Sequence, residues 1–193
     1  GRSGWVRSPR STVNGKLSPA NSYRVMGNLP YYITSKIIRM FLELENPPRE
    51  MFFMAQKEVA ERICADPGEM SILSVAVQYY ADPEILFDVP AGAFEPEPKV
   101  ESTFVRITHK IEDRKWKTEK QGDIKNFFRL VKMGFAARRK TLANNLSAGL
   151  RIPKQEVEAL LQQADCHPKI RAQDLSVGQW EGLVNIVKEQ NIV

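Results

Sequence analysis

The segment Asn28-Leu29-Pro30-Tyr31 stands where a short strand gives way to an amphipathic helix, and its residue types could bind a planar amine. A proline disfavours the helical conformation of the residue before it, so Leu29 should keep its carbonyl free of the following helix. The side chain of Asn28 adds a second hydrogen-bond acceptor, and Tyr31 adds a flat face. Two acceptors beside a ring suit a planar group with an exocyclic amine. A turn that uses Asn and Pro only for its geometry gives the same pattern.

The same segment resembles the target-base motif of the amino-methyltransferases, which is Asp or Asn, two residues, then an aromatic residue. An adenine N6 is a poor nucleophile because its lone pair is delocalised into the ring. Hydrogen bonds accepted from the amino group would favour a pyramidal nitrogen whose lone pair points at a methyl donor. Such a reaction depends on orientation and electrostatics and needs no general base to start.

Four blocks of the chain, in this order, resemble the small-subunit 16S rRNA adenine dimethyltransferase family: NLPYYITSKII, AQKEVAERI, FEPEPKVESTFVRI and FAARRKTLANNL. The resemblance covers nearly everything from about Tyr23 to the end. It implies transfer of two methyl groups from S-adenosylmethionine to N6 of each of two adjacent adenines in an rRNA hairpin loop, as a step in small-subunit biogenesis. The implied partners are 16S rRNA and the small ribosomal subunit.

The resemblance also assigns a role to each residue of the site. Asn28 would hold the target amine and touch the methyl donor. Leu29 and Pro30 would supply the backbone turn and its carbonyl, and Tyr31 would stack on the flipped adenine. Phe94 would close on the base from the other side, and such stacking contributes about 1–3 kcal/mol per ring. The local pattern alone favours a different reading for Phe94, a loop residue packed on the domain.

The resemblance is incomplete at the front of the family's pattern. The family begins with a strand, a glycine-rich turn and a helix that bind S-adenosylmethionine, whereas no G-x-G occurs in this sequence. No acidic residue ends an early strand where it could bind the ribose. We therefore expect a fragment that lacks the cofactor-binding half and that, by itself, neither binds the methyl donor nor is active.

Strands and helices alternate from residue 23 to about 109, and helices alone follow, which predicts an α/β sheet and then a small all-helical domain. We expect the C-terminal half of a Rossmann-like methyltransferase domain at 23–109, a connector at 110–121 and a helical rRNA-binding domain at 122–193. Residues 1–22 are rich in Gly, Ser, Pro and Arg and are predicted to be a linker or arm. Part of that stretch could be an expression remnant.

Hydrophobic periodicity predicts the individual elements. The predicted strands are 23–27, 51–55, 84–89 and 102–108. The predicted helices are 35–44, 57–65, 71–80, 123–146, 155–163 and one that starts at a capping box at Ser176. The run 51–55 is apolar throughout, as in a strand covered on both faces. The last helix should bury Trp180, Leu183, Val184 and Val187.

The net charge of +5 is unevenly distributed: +4 in residues 1–21, −5 in 22–109 and +6 in 110–193. On the helix predicted at 123–146, one stripe carries Lys125, Arg129, Lys132, Arg139 and Lys140. The opposite side carries Phe127, Phe128, Val131, Phe135 and Leu142. Arg138 lies nearer the apolar side and could pair with a carboxylate of the first domain. We interpret all six cations as RNA-binding residues; the alternative is a solvated basic face.

Two other functions fit the same residues. One is the 23S rRNA adenine methyltransferase of the macrolide-resistance type, which shares the Asn-x-Pro-Tyr turn. The other is a non-catalytic RNA-binding or ribosome-assembly protein on the same scaffold. No apolar run is long enough to span a bilayer, and Cys64 and Cys166 fit no metal or redox spacing. We expect a cytoplasmic protein with no metal and no membrane partner.

Overall fold

The computed structural model of the chain describes residues 23–29, 31–110 and 121–192. The predicted arm at 1–22, Pro30 and nearly all of the predicted connector lie outside these residues. Within them, strands and helices alternate as far as His109, and helices alone follow from Gln121. The order of element types is therefore the one that the sequence predicts.

The elements have the following bounds. The strands are β1 (Arg24–Asn28), β2 (Glu50–Gln56), β3 (Ala81–Val89) and β4 (Ser102–His109). The helices of the first part are α1 (Thr34–Leu42), α2 (Lys57–Ile63) and α3 (Ile72–Tyr80). Those of the second part are α4 (Gln121–Gly134), α5 (Leu142–Leu150), α6 (Lys154–Gln163) and α7 (Val177–Glu189).

The four strands form one mixed sheet in the order β1-β2-β4-β3. Strand β1 is parallel to β2, and β4 is antiparallel to both β2 and β3. The carboxyl ends of β1, β2 and β3 therefore meet at one edge of the sheet. This edge matters because ligands bind outside the carboxyl ends of the strands in open α/β sheets.

Burial alternates along the central strands, which distinguishes the two faces of the sheet. Met51, Phe53 and Ala55 of β2 are buried, as are Val105 and Ile107 of β4. These side chains share one apolar core with α1, α2 and α3. The expectation of a β2 strand covered on both faces is wrong for the described residues, because its burial alternates residue by residue.

The opposite face of the sheet carries a row of aromatic rings. Phe104 stacks against Phe52 and Phe87, with ring centroids 6.5 and 5.3 Å apart. Met26 extends the row onto β1, and the side chains at its two ends, Met26 and Phe87, are 73% and 55% exposed. Two ion pairs lie on the same face, Arg24 with Glu50 and Arg106 with Glu84.

The single long helix predicted at 123–146 is wrong, because α4 ends at Gly134 and α5 begins at Leu142. A helix leaves its last carbonyls without partners inside the helix, and here Asn145 provides one. Its side-chain amide donates to the carbonyls of Gly134 at 2.6 Å and Ala137 at 3.0 Å. Thr141 caps the new helix by accepting a hydrogen bond from the Asn144 amide. The apolar spacing that predicts one helix over 123–146 therefore continues across the turn between α4 and α5.

The second part packs against α3 and the loop before it. Tyr79 contacts the rings of Phe127 and Phe128, with centroids 4.5 and 5.4 Å away. The carbonyl of Gln173 accepts from the amides of Gly68 and Met70, and its side chain donates to the Gly68 carbonyl at 2.7 Å. Aromatic packing and three hydrogen bonds thus hold the helices to the sheet part.

The capping box predicted at the start of α7 is present between Ser176 and Gln179. All four residues predicted on the inner face of this helix are buried; they are Trp180, Leu183, Val184 and Val187. Phe127, Phe128, Val131 and Leu142 are buried as well, and Phe135 is partly buried against the same core, which confirms the apolar side predicted for the basic segment.

We expect Gly134→Ala to destabilise the chain by about 1–3 kcal/mol, measured by urea unfolding. An added Cβ would lie 2.4 Å from Cη2 of Trp180 and 2.9 Å from Cδ1 of Leu142, and both side chains are fully buried. The matched control is Gly182→Ala in α7, where a Cβ meets nothing within 4 Å. That change should stabilise the helix by about 0.5–1 kcal/mol. Equal unfolding midpoints for the two variants would contradict this packing.

Candidate active site

Asn28 is the last residue of β1, at the carboxyl edge of the sheet, and it is exposed. Its backbone pairs with Met54 of β2, and its side chain makes no hydrogen bond to another described residue. Leu29 follows, half-buried against the core. Tyr31 begins a short 3-10 helix, Tyr31–Ile33, that runs directly into α1. The described residues before and after Pro30, which itself lies outside them, are therefore a strand and a helix.

Phe94 belongs to the segment 90–101 between β3 and β4, called here the Phe94 loop. A single 3-10 turn, Ala91–Ala93, orders its first part. The amide of Ala93 donates to the Pro90 carbonyl at 3.0 Å, and that of Phe94 to the Ala91 carbonyl at 3.2 Å. The ring of Phe94 is half-buried.

Asn28 and the Phe94 loop lie at the same edge of the sheet but not side by side. Strands β2 and β4 stand between β1 and β3, and three strand spacings amount to about 14 Å. The sheet thus brings the two predicted parts of the site to one edge, with a gap between them at the level of the strands.

A charged cluster that sequence reasoning missed occupies the middle of this edge. The Lys57 ammonium lies 2.9 Å from Oδ2 of Asp88 and 3.0 Å from Oε2 of Glu101. The hydroxyl of Thr103 donates to Oδ1 of Asp88 at 2.7 Å. The only signal for it in the sequence is a lysine in AQKEVAERI together with two carboxylates that flank the Phe94 loop.

The cluster shifts the pKa values of its own members. Asp88, then Glu101, raises the pKa of the Lys57 ammonium above its ordinary value through hydrogen bonds. The Thr103 hydroxyl, then Lys57, holds the pKa of Asp88 below its ordinary value. Lysine and aspartate are both charged at neutral pH, so the cluster is a set of ion pairs there.

The described edge carries one exposed side-chain amide and two carboxylates. Asn28 offers an exposed amide oxygen. The carboxylates beside the edge bind Lys57 through Oδ2 of Asp88 and Oε2 of Glu101, and Thr103 donates to the other oxygen of Asp88. Among the described residues no group of three or more His, Cys, Asp or Glu side chains could hold a metal ion. No described helix is long and apolar enough to cross a membrane.

The six predicted RNA-binding cations fall into two groups. Lys125, Arg129 and Lys132 lie on one side of α4, opposite its buried face. The other three, Arg138, Arg139 and Lys140, lie in the turn between α4 and α5 and not on a continuing helix. All six are exposed, and none forms an ion pair with a described residue. The predicted pairing of Arg138 with a carboxylate is therefore absent from the described part of the chain.

Arg138 and Lys140 instead line a cavity of about 350 Å³ where the helical part meets the sheet part. Arg62 and Glu58 of α2 line its other wall. Three cations therefore face one carboxylate around this space, which leaves it with a positive balance that suits phosphate groups.

Comparisons with known proteins identify the following relatives, all of which are named as ribosomal RNA methyltransferases. The family model of ribosomal RNA adenine dimethylase matches residues 6–189. Ribosomal RNA small subunit methyltransferase A of Dehalococcoides mccartyi (strain 195) is 41% identical over 180 residues, which is 90% of this chain and 60% of that protein. The protein of the same name in Desulfitobacterium hafniense is 43% identical over 165 residues, 84% of this chain and 58% of that protein. The chain thus spans about 60% of the length of these relatives.

Solved structures show the same fold at low sequence identity. A dimethyladenosine transferase from Plasmodium falciparum matches with a TM-score of 0.75 at 21% identity, over 97% of this chain and 72% of that one. The 23S rRNA methyltransferase ErmE matches with a TM-score of 0.66 at 23% identity, over 89% of this chain and 67% of that one. These likenesses confirm the prediction of a Rossmann-like sheet part followed by helices. With a family match over nearly its whole length, the chain belongs to the ribosomal RNA adenine dimethylase family.

Proposed function

We propose that the chain carries the base-binding and RNA-binding parts of an enzyme that dimethylates N6 of two adjacent adenines in a hairpin loop of small-subunit rRNA. The observation that carries the proposal is the 41% identity over 180 residues to a protein named ribosomal RNA small subunit methyltransferase A. Because the chain spans 60% of that protein, the activity, the substrate and the ribosomal partner all belong to the proposal.

Asn28 and Leu29 are the proposed acceptors for the adenine amino group. The Asn28 side chain is exposed at the carboxyl edge of the sheet, where its oxygen can accept one N–H. The Leu29 carbonyl, kept out of the helix by the following Pro30, can accept the other. Tyr31 and Phe94 are the proposed stacking partners on the two faces of the base.

Methyl transfer to N6 requires the protein mainly to orient the reacting amine. Transfer forms a bond between N6 and the methyl carbon with the electron pair of the amine, while the bond from that carbon to the donor's sulfur breaks and its electron pair stays on sulfur. The nitrogen then loses a proton to solvent. Hydrogen bonds that hold both N–H groups keep this electron pair out of conjugation and aimed in one direction. After the first transfer one N–H remains, so one acceptor can still orient the amine for the second.

S-adenosylmethionine, the methyl donor that the family implies, supplies an electrophilic methyl group. The residues proposed above serve the acceptor side of the reaction. Their carboxylates at this edge are engaged with Lys57, and we assign to Asn28 alone a contact with the donor.

The unpaired cations are the proposed RNA-backbone contacts. An exposed lysine or arginine without a carboxylate partner can neutralise a phosphate and release a counterion. Lys125, Arg129 and Lys132 offer one such line on α4. Arg138 and Lys140 offer another at the cavity beside Arg62, and Arg139 lies between them in the chain.

Of the other two functions, the 23S enzyme is less favoured. The curated relatives near 40% identity are named for the small subunit, whereas the likeness to ErmE at 23% identity shows the fold alone. A non-catalytic RNA-binding protein differs from the enzyme only in whether methyl groups are transferred, which the following measurement decides.

We expect Asn28→Ala to lower methyl transfer about a hundredfold or more, since it removes an acceptor that orients the reacting nitrogen. Affinity for RNA should stay within about twofold, because Asn28 carries no charge for phosphates. The measurement is single-turnover transfer from labelled S-adenosylmethionine to small ribosomal subunits without N6-methylated adenines, and the parent protein is a complete enzyme in which this chain is joined to a methyl-donor-binding half. Asn144→Ala, another exposed asparagine, is the control. Near-normal transfer by Asn28→Ala would exclude its proposed role, and RNA binding without any transfer by the parent protein would favour the non-catalytic function.

We expect Arg139→Ala with Lys140→Ala to weaken binding to the small subunit and to flatten its salt dependence. Each lost phosphate contact lowers the slope of log affinity against log salt by about 0.7–0.9. The control pair is Arg106→Ala with Lys154→Ala, which removes two charges already paired with Glu84 and Glu158. If the two double variants show the same slope, the cations of this turn form only a solvated surface.

A further inference from the structure

Lys57 holds both ends of the Phe94 loop. Its ammonium binds Asp88, which lies in β3 just before the loop, and Glu101, which is the last residue of the loop. Its backbone amide also donates to the Glu101 carbonyl at 3.1 Å. One residue therefore fixes the two points where the chain leaves and re-enters the sheet around Phe94.

The position of Lys57 after β2 shows which parts of the candidate site this contact connects. Lys57 is the first residue of α2 and follows directly after β2. Strand β2 lies next to β1, whose last residue is Asn28, and the register pairs Asn28 with Met54, three residues before Lys57. Lys57 thus lies between the acceptor side of the site and the loop that carries the second ring.

The anchor on the far side of the cluster is rigid. Thr103 is completely buried, and its hydroxyl fixes one oxygen of Asp88 while the other oxygen binds Lys57. The chain of contacts therefore runs from the core of β4 through Asp88 to Lys57. Glu101, at the other end of the loop, shares the same ammonium.

The two carboxylates bound to Lys57 distinguish it from the cations that are proposed to bind RNA. An ammonium has three donors, and two of them are used by carboxylates. Its local charge is outweighed by Asp88 and Glu101, so the cluster has no excess positive charge for a phosphate. The side chain of Lys57 is 40% exposed and is paired with two carboxylates. Its role is therefore to hold these carboxylates in place and not to bind a phosphate.

We propose that Lys57 is a positioning residue that ties both ends of the Phe94 loop to the start of α2 and thereby sets where Phe94 stands relative to Asn28. The inference rests on the proposed function in one respect, that Phe94 stacks on an adenine. Lys57 itself touches neither the base nor the methyl donor in this assignment.

The first test measures the loop directly, without any substrate, by amide hydrogen exchange on the intact chain. The reporters are the amides of Ala93 and Phe94, which are held by hydrogen bonds inside the loop. Lys57→Gln should speed their exchange about twofold to thirtyfold, the range expected for losing two exposed ion pairs. Lys57→Arg should restore slow exchange, because a guanidinium also bridges two carboxylates.

The matched control is Lys154→Gln. Lys154 is likewise the first residue of a helix, and it forms an exposed ion pair with Glu158 at 3.2 Å. It should leave the exchange of the loop unchanged. Thermal unfolding midpoints of all variants should agree closely, since exposed pairs add little to global stability. Unchanged exchange of Ala93 and Phe94 in Lys57→Gln would overturn the inference.

The second test asks whether the loop position matters for the base. The probe is an RNA hairpin with two adjacent adenines in its loop, compared with the same hairpin carrying uracils there. The parent chain should prefer adenine by about fivefold or more, and Lys57→Gln should lose most of that preference while Lys57→Arg keeps it. Affinity for the uracil hairpin and the salt slope should not change in either variant.

The outcomes separate the two proposals. A parent chain without any preference for adenine would overturn the proposed role of Phe94 in the site, while the exchange data would still decide whether Lys57 holds the loop. A normal preference in both the parent and Lys57→Gln would leave the proposed function standing and overturn the positioning role of Lys57.

Discussion

Backbone pairing of β2 with β1 on one side and β4 on the other is the constraint on which the candidate site depends. Parallel pairing places the end of β1 beside the end of β2, and antiparallel pairing brings the start of β4 to the same edge. Asn28, Lys57 and the Phe94 loop, far apart in the sequence, meet at this edge for that reason alone. Moving β1 by one residue against β2 would turn Asn28 to the other face of the sheet.

The sequence predicts the order of the elements well because their signals are local. The apolar run before Gln56 and the capping box at Ser176 each act within one element. The break between α4 and α5 is harder to see, since it depends on Asn145 reaching back to carbonyls of a helix that the periodicity extends through it. A pattern of apolar spacing records which side is buried, and the burial of Leu142 keeps that pattern intact across the turn.

The residues of the candidate site likewise divide into those with a local signal in the sequence and those that depend on contacts between distant segments. Asn28 and Tyr31 can be proposed from their spacing, because the segment from one to the other is only four residues long. The contact of Lys57 with Asp88 and Glu101 joins residues from three strands' ends, and no spacing in the sequence encodes it. Tertiary contacts of this kind become visible only once strand order and register are known.

The aromatic row on the open face of the sheet has a consequence for the behaviour of the chain in solution. Among the described residues β1 is an edge strand, and an exposed, apolar edge strand is a feature by which sheets from different molecules join into aggregates. The ion pairs Arg24–Glu50 and Arg106–Glu84 lie on the same face. A second molecule that approached the rings would have to strip water from these charges, so the two pairs act as gatekeepers of solubility.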